Sequence, residues 1–177
     1  MSQGLEKMLK SPETLAAMLP PLPEPPPLSG DLREAATLLL LDHGGLWFLK
    51  RSLSMRRHPG QIAFPGGRRE REDADLWQTA QRETFEEMGA DPSAISFLGA
   101  LPWLVTPTGY RVHPYLGWWH NLPLQPVLNE EAEFAFRVEV GDLRNAAAPG
   151  ERARYPTPAG EIWGATAMML HSWLRMF

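Results

Sequence analysis

Apolar residues run almost unbroken over residues 35–41 and resume over 46–49, with the polar, glycine-containing stretch Asp42-His43-Gly44-Gly45 between them. Short apolar runs flanking a tight turn predict a β-hairpin at the start of the core. A loop follows over residues 51–59, and Gln61-Ile62-Ala63-Phe64 predicts a short strand that stops at Pro65-Gly66-Gly67. Over residues 74–88 the pattern changes: Leu76, Trp77, Ala80, Thr84 and Met88 recur at helical spacing, and Gly89 stands where a C-cap glycine belongs. Strands are predicted at 95–105 and 111–120, joined by the turn Thr106-Pro107-Thr108-Gly109. Residues 134–140 form a further apolar segment leading into a short helical stretch at 140–148, and a helix over 164–176 ends the chain. Strands interspersed with helices, without a repeat period, predict an α/β sandwich rather than a bundle or an all-β fold.

The first residues fit this pattern poorly. Residues 2–19 carry a weak helical spacing of Leu5, Met8, Leu9, Leu15, Met18 and Leu19, broken at Pro12 and stopped by the proline-rich run 20–27. We read residues 1–30 as a stiff lead-in without chemistry and 31–177 as one domain, for which 44% hydrophobic content with seven Trp and seven Phe supplies a core. Trp103, Trp118, Trp119 and Trp163, with His113 and His120, are expected in packing roles. A net charge of -4 and a pI near 5.7 give no basic field to steer nucleic acid, so local arginines must meet any anionic ligand. The absence of cysteine excludes disulfides, thiolate nucleophiles and Cys-based metal sites. No apolar run is long enough for a membrane span, and neither a signal peptide nor a C-terminal retention tripeptide is legible, so a cytoplasmic protein is expected.

Chemistry concentrates on the central helix. At about 100° per residue, Glu83, Glu86 and Glu87 fall within an arc of roughly 100° at the edge of the apolar stripe. Like charges so spaced repel by about 0.2 to 0.5 kcal/mol per pair, and only Arg82 lies close by in sequence to offset them. A divalent cation resolves the conflict, and hard carboxylate oxygens suit Mg²⁺ or Mn²⁺. Just ahead, Gly66-Gly67 lets backbone amides approach phosphate oxygens, with arginines on both sides. Glycines, arginines and carboxylates together suit a polyphosphate.

These residues resemble the Nudix box, whose pattern is Gly, five residues, Glu, seven residues, then Arg-Glu-aliphatic-x-Glu-Glu-x-Gly-aliphatic. Arg82-Glu83-Thr84-Phe85-Glu86-Glu87-Met88-Gly89-Ala90 matches its second half, with Thr84 and Ala90 at the aliphatic positions. The first half departs: Asp73 follows Gly67 where Glu is expected, and eight residues rather than seven precede Arg82, which leaves the role of Asp73 open. The resemblance implies a Nudix-type α/β/α sandwich with a mixed central sheet. It also implies that Glu83, Glu86 and Glu87 hold Mg²⁺ or Mn²⁺, with Arg82 orienting them. Glu86 is a metal ligand or proton acceptor, and a later acid from among Glu130, Glu131 and Glu133 is a base candidate, Glu131 foremost.

Upstream, Arg51-Ser52, Arg56, Gly60 and Phe64-Pro65-Gly66-Gly67, each block three residues after the last, resemble the signature of the coenzyme A-directed Nudix branch. The Asp-containing first half of the box and Ile162-Trp163-Gly164-Ala165-Thr166-Ala167 resemble that branch too. The resemblance implies cleavage of coenzyme A, or of an acyl or oxidised form, to adenosine 3′,5′-bisphosphate and a 4′-phosphopantetheine product. Coenzyme A carries a 3′-phosphate besides its diphosphate, and Arg51, Arg56, Arg57 and His58 could meet it. Arg51, Arg56, Gly60, Phe64, Gly66 and Gly67 are the expected substrate-binding residues. The partner is then a small molecule, with no nucleic acid or membrane, and homodimers occur in the family. Another nucleoside diphosphate substrate, such as ADP-ribose, a dinucleotide or a nucleoside triphosphate, and a non-catalytic nucleotide-binding module remain as rivals.

Overall fold

A computed structural model describes residues 9–121, 123–146 and 153–176. Helix α1 (Pro12–Met18) opens it, capped by Ser11, whose hydroxyl accepts from the Thr14 amide. Pro12 therefore starts this helix instead of breaking it, because its missing N–H is among those a first turn leaves unpaired anyway. The earlier part of the expected pattern, residues 2–8, lies outside the described residues.

Strands β1 (Arg33–Asp42) and β2 (Gly45–Arg51) form the expected hairpin, with Leu41 opposite Leu46 and Asp42 opposite Gly45. The connecting His43 and Gly44 both take positive φ, as a tight hairpin turn requires. After β3 (Ile62–Ala63) comes β4 (Gly66–Arg68), which pairs antiparallel with β1. The glycine pair, expected to end a strand, itself forms one. A three-residue strand with two glycines carries no apolar pattern and is placed by its ladder to Ala35, Ala36 and Thr37.

Helix α2 (Leu76–Met88) begins two residues later than expected, where the Asp75 side chain accepts from the Gln78 amide, and ends at Gly89 with φ 69. The expected single strand over 95–105 divides into β5 (Ile95–Ala100) and β6 (Leu104–Val105). Pro102 has no N–H to continue the ladder. Strand β7 (Tyr110–Trp119) runs parallel to β1 from Arg33 opposite Tyr110 to Leu41 opposite Trp118. Strand β8 (Ala132–Glu139) pairs with β2 and leads into α3 (Val140–Ala146), whose expected extension lies outside the described residues. A small hairpin, β9 (Tyr155–Thr157) and β10 (Gly160–Ile162), was not anticipated; its strands are short, with Pro156 inside β9 and Pro158 in the turn. Helix α4 (Gly164–Leu174) follows.

Among the described residues the central sheet is mixed, in the order β3-β2-β1-β7-β5 with β4, β6 and β8 attached. Alternation along β1 divides the core. Ala36, Leu38 and Leu40 pack with Ala80 and Met88 of α2, while Leu39 and Leu41 pack with Leu15, Leu143, Leu170 and Trp173 of the other helices. The fold is thus an α/β/α sandwich with α2 alone on one face. Trp118 and Trp119 are buried as expected, whereas Trp103 and Trp163 are substantially exposed. No helix among the described residues is long and apolar enough to cross a membrane.

Candidate active site

Helix α2 lies against β4 and β1, and its acids are sorted by depth. Glu87 is only 6% exposed, and its Oε2 accepts the Gly66 N–H at 2.8 Å. Burial pushes its pKa up to about 8; the Gly66 N–H and Arg51 pull it down, and Glu83 and Glu131 push it further up. Glu83 is mostly covered, and burial raises its pKa as well. It lies directly on Gly67: a Cβ there would stand 2.5 Å from the Glu83 Cδ. Glu86 is half exposed at the rim. Thr84, at an aliphatic position of the box, is fully buried because its hydroxyl donates back to the Ala80 carbonyl at 2.6 Å.

Arg82 ties these acids together. Its Nη1 lies 2.9 Å from Glu83 Oε1 and 3.3 Å from Glu86 Oε1, while Nη2 donates to the Arg68 carbonyl at 3.1 Å. Its remaining donors form a fork onto Asp73, Nε to Oδ1 at 3.0 Å and Nη2 to Oδ2 at 3.1 Å. Asp73 also accepts from the Thr79 hydroxyl and the Glu70 amide, each at 2.9 Å. The Arg82 fork first, helped by those bonds, holds the Asp73 pKa down at about 2 against the opposing effect of burial. The open question about Asp73 therefore has a structural answer: from a longer loop it still reaches Arg82 and fixes its guanidinium. Arg69 pins that loop, donating to the Asp73 and Ala74 carbonyls and to Glu34.

Beside Gly66 and Gly67 opens a cleft of about 330 Å³. Arg51, Arg57, His58 and Arg68 line it, with Thr106, Thr108 and Tyr110 from the β6–β7 turn, and no acid is among its lining residues. A register shift between Lys50 and Arg51 in the β2–β8 pairing places Arg51 here. Its Nη2 lies 3.6 Å from Glu131 Oε2, and its Nε is buried without a hydrogen-bond partner. Glu131 itself is 54% exposed. Glu130 and Glu133 are exposed and do not enter among the chief influences on Glu87, as Glu131 does.

Three expected substrate-binding residues stand elsewhere. Arg56 is exposed and does not line the cleft; the loop, with His58 at φ 54, delivers Arg57 and His58 instead. Gly60, with φ 69, closes that loop by donating to the Arg51 carbonyl at 3.1 Å. Phe64 is 3% exposed and stacks on Phe48 at 4.8 Å, so its side chain belongs to the core. Conversely, Arg68 and the Thr106, Thr108 and Tyr110 group were not anticipated as site residues. A turn pattern says only that the chain reverses, and nothing local in it announces the cleft nearly forty residues upstream. As they stand, no three His, Asp or Glu side chains among the described residues gather closely enough to hold a metal ion.

The NUDIX domain family matches residues 31–159. Among relatives, the uncharacterized Nudix hydrolase NudL of Enterobacter sp. (strain 638) is 41% identical over 98 residues, 52% of this chain and 51% of that protein. NudL of Klebsiella aerogenes is 40% identical over 103 residues, 56% of this chain and 84% of that protein. The chain thus spans about half the length of the Enterobacter relative. Among solved structures, the Nudix hydrolase RenU of M. smegmatis aligns with a TM-score of 0.57 at 17% identity, covering 81% of this chain and 83% of that one. A C. elegans Ap4A hydrolase in a binary complex aligns at 0.51 with 22% identity, covering 61% and 81%. At such identities the structural likeness shows the fold alone. The family match covers the carboxylate helix, the glycine strand and most of the sheet, and the chain belongs to the Nudix family.

Proposed function

We propose that the protein hydrolyses the diphosphate bond of coenzyme A, or of an acyl or oxidised derivative, to adenosine 3′,5′-bisphosphate and a 4′-phosphopantetheine product. One observation carries the reading: the cleft next to the α2 carboxylates holds three arginines and a histidine and no acid, in a chain of net charge -4. Such a cleft selects a ligand with more than one anionic group.

The donor chemistry fits a divalent cation, which the three carboxylates, apart as they stand, would meet by side-chain rotation. Glu83, Glu86 and Glu87 present hard oxygens within two turns of one helix, and Glu87 is a buried carboxylate that accepts from the Gly66 amide. Gly67 leaves no side chain between the strand and Glu83. These three glutamates would hold Mg²⁺ or Mn²⁺, which when bound polarises phosphoryl oxygens and lowers the pKa of bound water. The chain's own part is positioning. Asp73 fixes Arg82, Arg82 fixes Glu83 and Glu86, and Arg51 and Arg57 take phosphate oxygens. Water adds to one phosphorus, the bridging P–O bond breaks, and the proton released by water passes to Glu131, whose Oε2 lies 3.6 Å from Arg51 Nη2. A cytoplasmic location and a homodimeric state belong to the same proposal.

Purified protein with Mg²⁺ or Mn²⁺, offered coenzyme A, 3′-dephospho-coenzyme A and ADP-ribose at equal concentration, should prefer coenzyme A by roughly 10-fold in kcat/KM, the value of one additional charged contact. Glu87→Gln should lower kcat by about 100-fold or more. A preference for ADP-ribose would overturn the coenzyme A assignment, and no cleavage of any diphosphate would overturn the hydrolase.

A further inference from the structure

Coenzyme A has two unlike halves, and the cleft suits only one of them. The adenosine 3′-phosphate half is flat, anionic and hydroxylated; the pantetheine half is a long neutral chain. Beyond the glycine strand, the cleft offers the guanidinium of Arg57, the imidazole of His58, hydroxyls at Thr106 and Thr108, and the ring of Tyr110.

This group from the β6–β7 turn is held rigidly. The Thr106 amide donates to the Tyr110 carbonyl at 2.8 Å, the Tyr110 amide donates to Thr106 Oγ1 at 3.2 Å, and Thr106 Oγ1 lies 3.0 Å from Thr108 Oγ1. The Arg33 guanidinium sits 4.4 Å from the centre of the Tyr110 ring and fixes it further. A fixed aromatic ring with neighbouring hydroxyls receives a purine base with little ordering cost. The adjoining cleft at Arg33, Arg69 and Arg71 also contains Glu34 and Glu70, so its charge is mixed and it lacks this selectivity.

We infer that the nucleoside half of the substrate occupies the cleft, with the base against Tyr110 and the Thr106–Thr108 hydroxyls and the 3′-phosphate on Arg57 and His58. The pantetheine arm then leaves on the far side of the diphosphate. The assignment rests on the function proposed above and gives the substrate its direction.

Calorimetric titration of the full chain with adenosine 3′,5′-bisphosphate, 5′-AMP and 4′-phosphopantetheine tests it. Tyr110→Leu should weaken both nucleotides roughly 10-fold and leave phosphopantetheine unchanged. Arg57→Ala should weaken the bisphosphate roughly 10-fold and AMP much less. Tyr110 is half-buried, so Thr108→Trp, at an exposed turn position, serves as the second variant; it fills the cleft and should weaken both nucleotides while the fold is kept. If phosphopantetheine alone is weakened, the direction is reversed. If the wild type does not bind the bisphosphate, or if Tyr110→Leu and Thr108→Trp both leave its affinity unchanged, the subsite is overturned. Coenzyme A cleavage with those unchanged affinities would remove the subsite and leave the function standing. ADP-ribose preference with AMP affinity still dependent on Tyr110 and Thr108 would do the opposite.

Discussion

At the scale of single residues, Asp73 is the one whose replacement is most informative, because it is buried and its carboxylate joins the Glu70 amide of the loop to Thr79 and Arg82 of α2. Its folded pKa of about 2 lies below the ordinary 3.8, so the stability it supplies is fully present above pH 3.8 and is lost as pH falls through about 2. The contribution is on the order of 2 kcal/mol. Asp73→Asn should therefore lower unfolding stability at pH 7 by about that amount and flatten its dependence on pH between about 2 and 5. Urea denaturation at pH 7 and pH 2.5 measures both, and equal midpoints for variant and wild type at pH 7 would contradict the role. The Arg82, Glu83, Glu86 and Glu87 cluster was legible in the sequence because a helix converts spacing into a shared face. Asp73 was not, since a loop has no period and its reach depends on how it folds back. Of the loop residues expected together, Arg57 and His58 reach the cleft and Arg56 does not, because within an irregular loop neighbouring side chains cannot be assigned directions from order alone.

Among the elements, β4 decides how close α2 comes to the sheet. Its two glycines act differently. A Cβ on Gly66, at φ 153, would lie 2.4 Å from the Ala36 carbonyl oxygen, a backbone atom of the central strand that cannot move aside. A Cβ on Gly67 would meet the side chain of Glu83, which can rotate away. Gly66→Ala should consequently cost about 2 to 4 kcal/mol in stability. Gly67→Ala should cost about 1 kcal/mol or less while reducing hydrolysis on the order of 10-fold or more through the displaced Glu83. Thermal unfolding and kcat measured on both variants separate the two effects, and a Gly67→Ala enzyme of full activity would remove Glu83 from the site. The β1–β2 hairpin, α2 and α4 were readable because each carries a long apolar pattern, and in α2 it ends at the C-cap Gly89. Strand β4 and the β9–β10 hairpin were not, because three residues carry no period and their pairing is supplied by distant chain. The interruption at Pro102 had its signal in the sequence, a proline within a presumed strand.

For the whole molecule, the consequential feature is that packing crosses the start of the family-matched region. Leu9 and Leu15 are buried in the larger core cluster, and Leu19 lies against Gly99 of β5, where a Cβ would stand 2.5 Å from Leu19 Cδ1. Further along, the exposed proline run is tied down where Arg111 Nη1 donates to the Pro26 carbonyl. Arg111 also binds Glu34, and Glu34 accepts from Arg69, which holds the loop carrying Asp73. Burial would raise the Glu34 pKa, but the hydrogen bonds from Arg111 and Arg69 outweigh it and keep the carboxylate ionised. A continuous series of contacts thus leads from the residues before β1 to the arginine that orients the glutamates. The parallel β1–β7 pairing that brings Arg111 beside Glu34 is a long-range choice, invisible in local pattern, which is why the early residues read as a separate lead-in. Truncating Leu15 tests the connection. It is 1% exposed, so Leu15→Ala should cost about 2 to 5 kcal/mol, the range for a buried leucine. Unfolding followed by tryptophan fluorescence and by far-ultraviolet circular dichroism should shift together in one transition, because the helix shares its core with the sheet. A midpoint unchanged within about 0.5 kcal/mol would mean that α1 packs too loosely to matter, and the residues before β1 would return to being a lead-in.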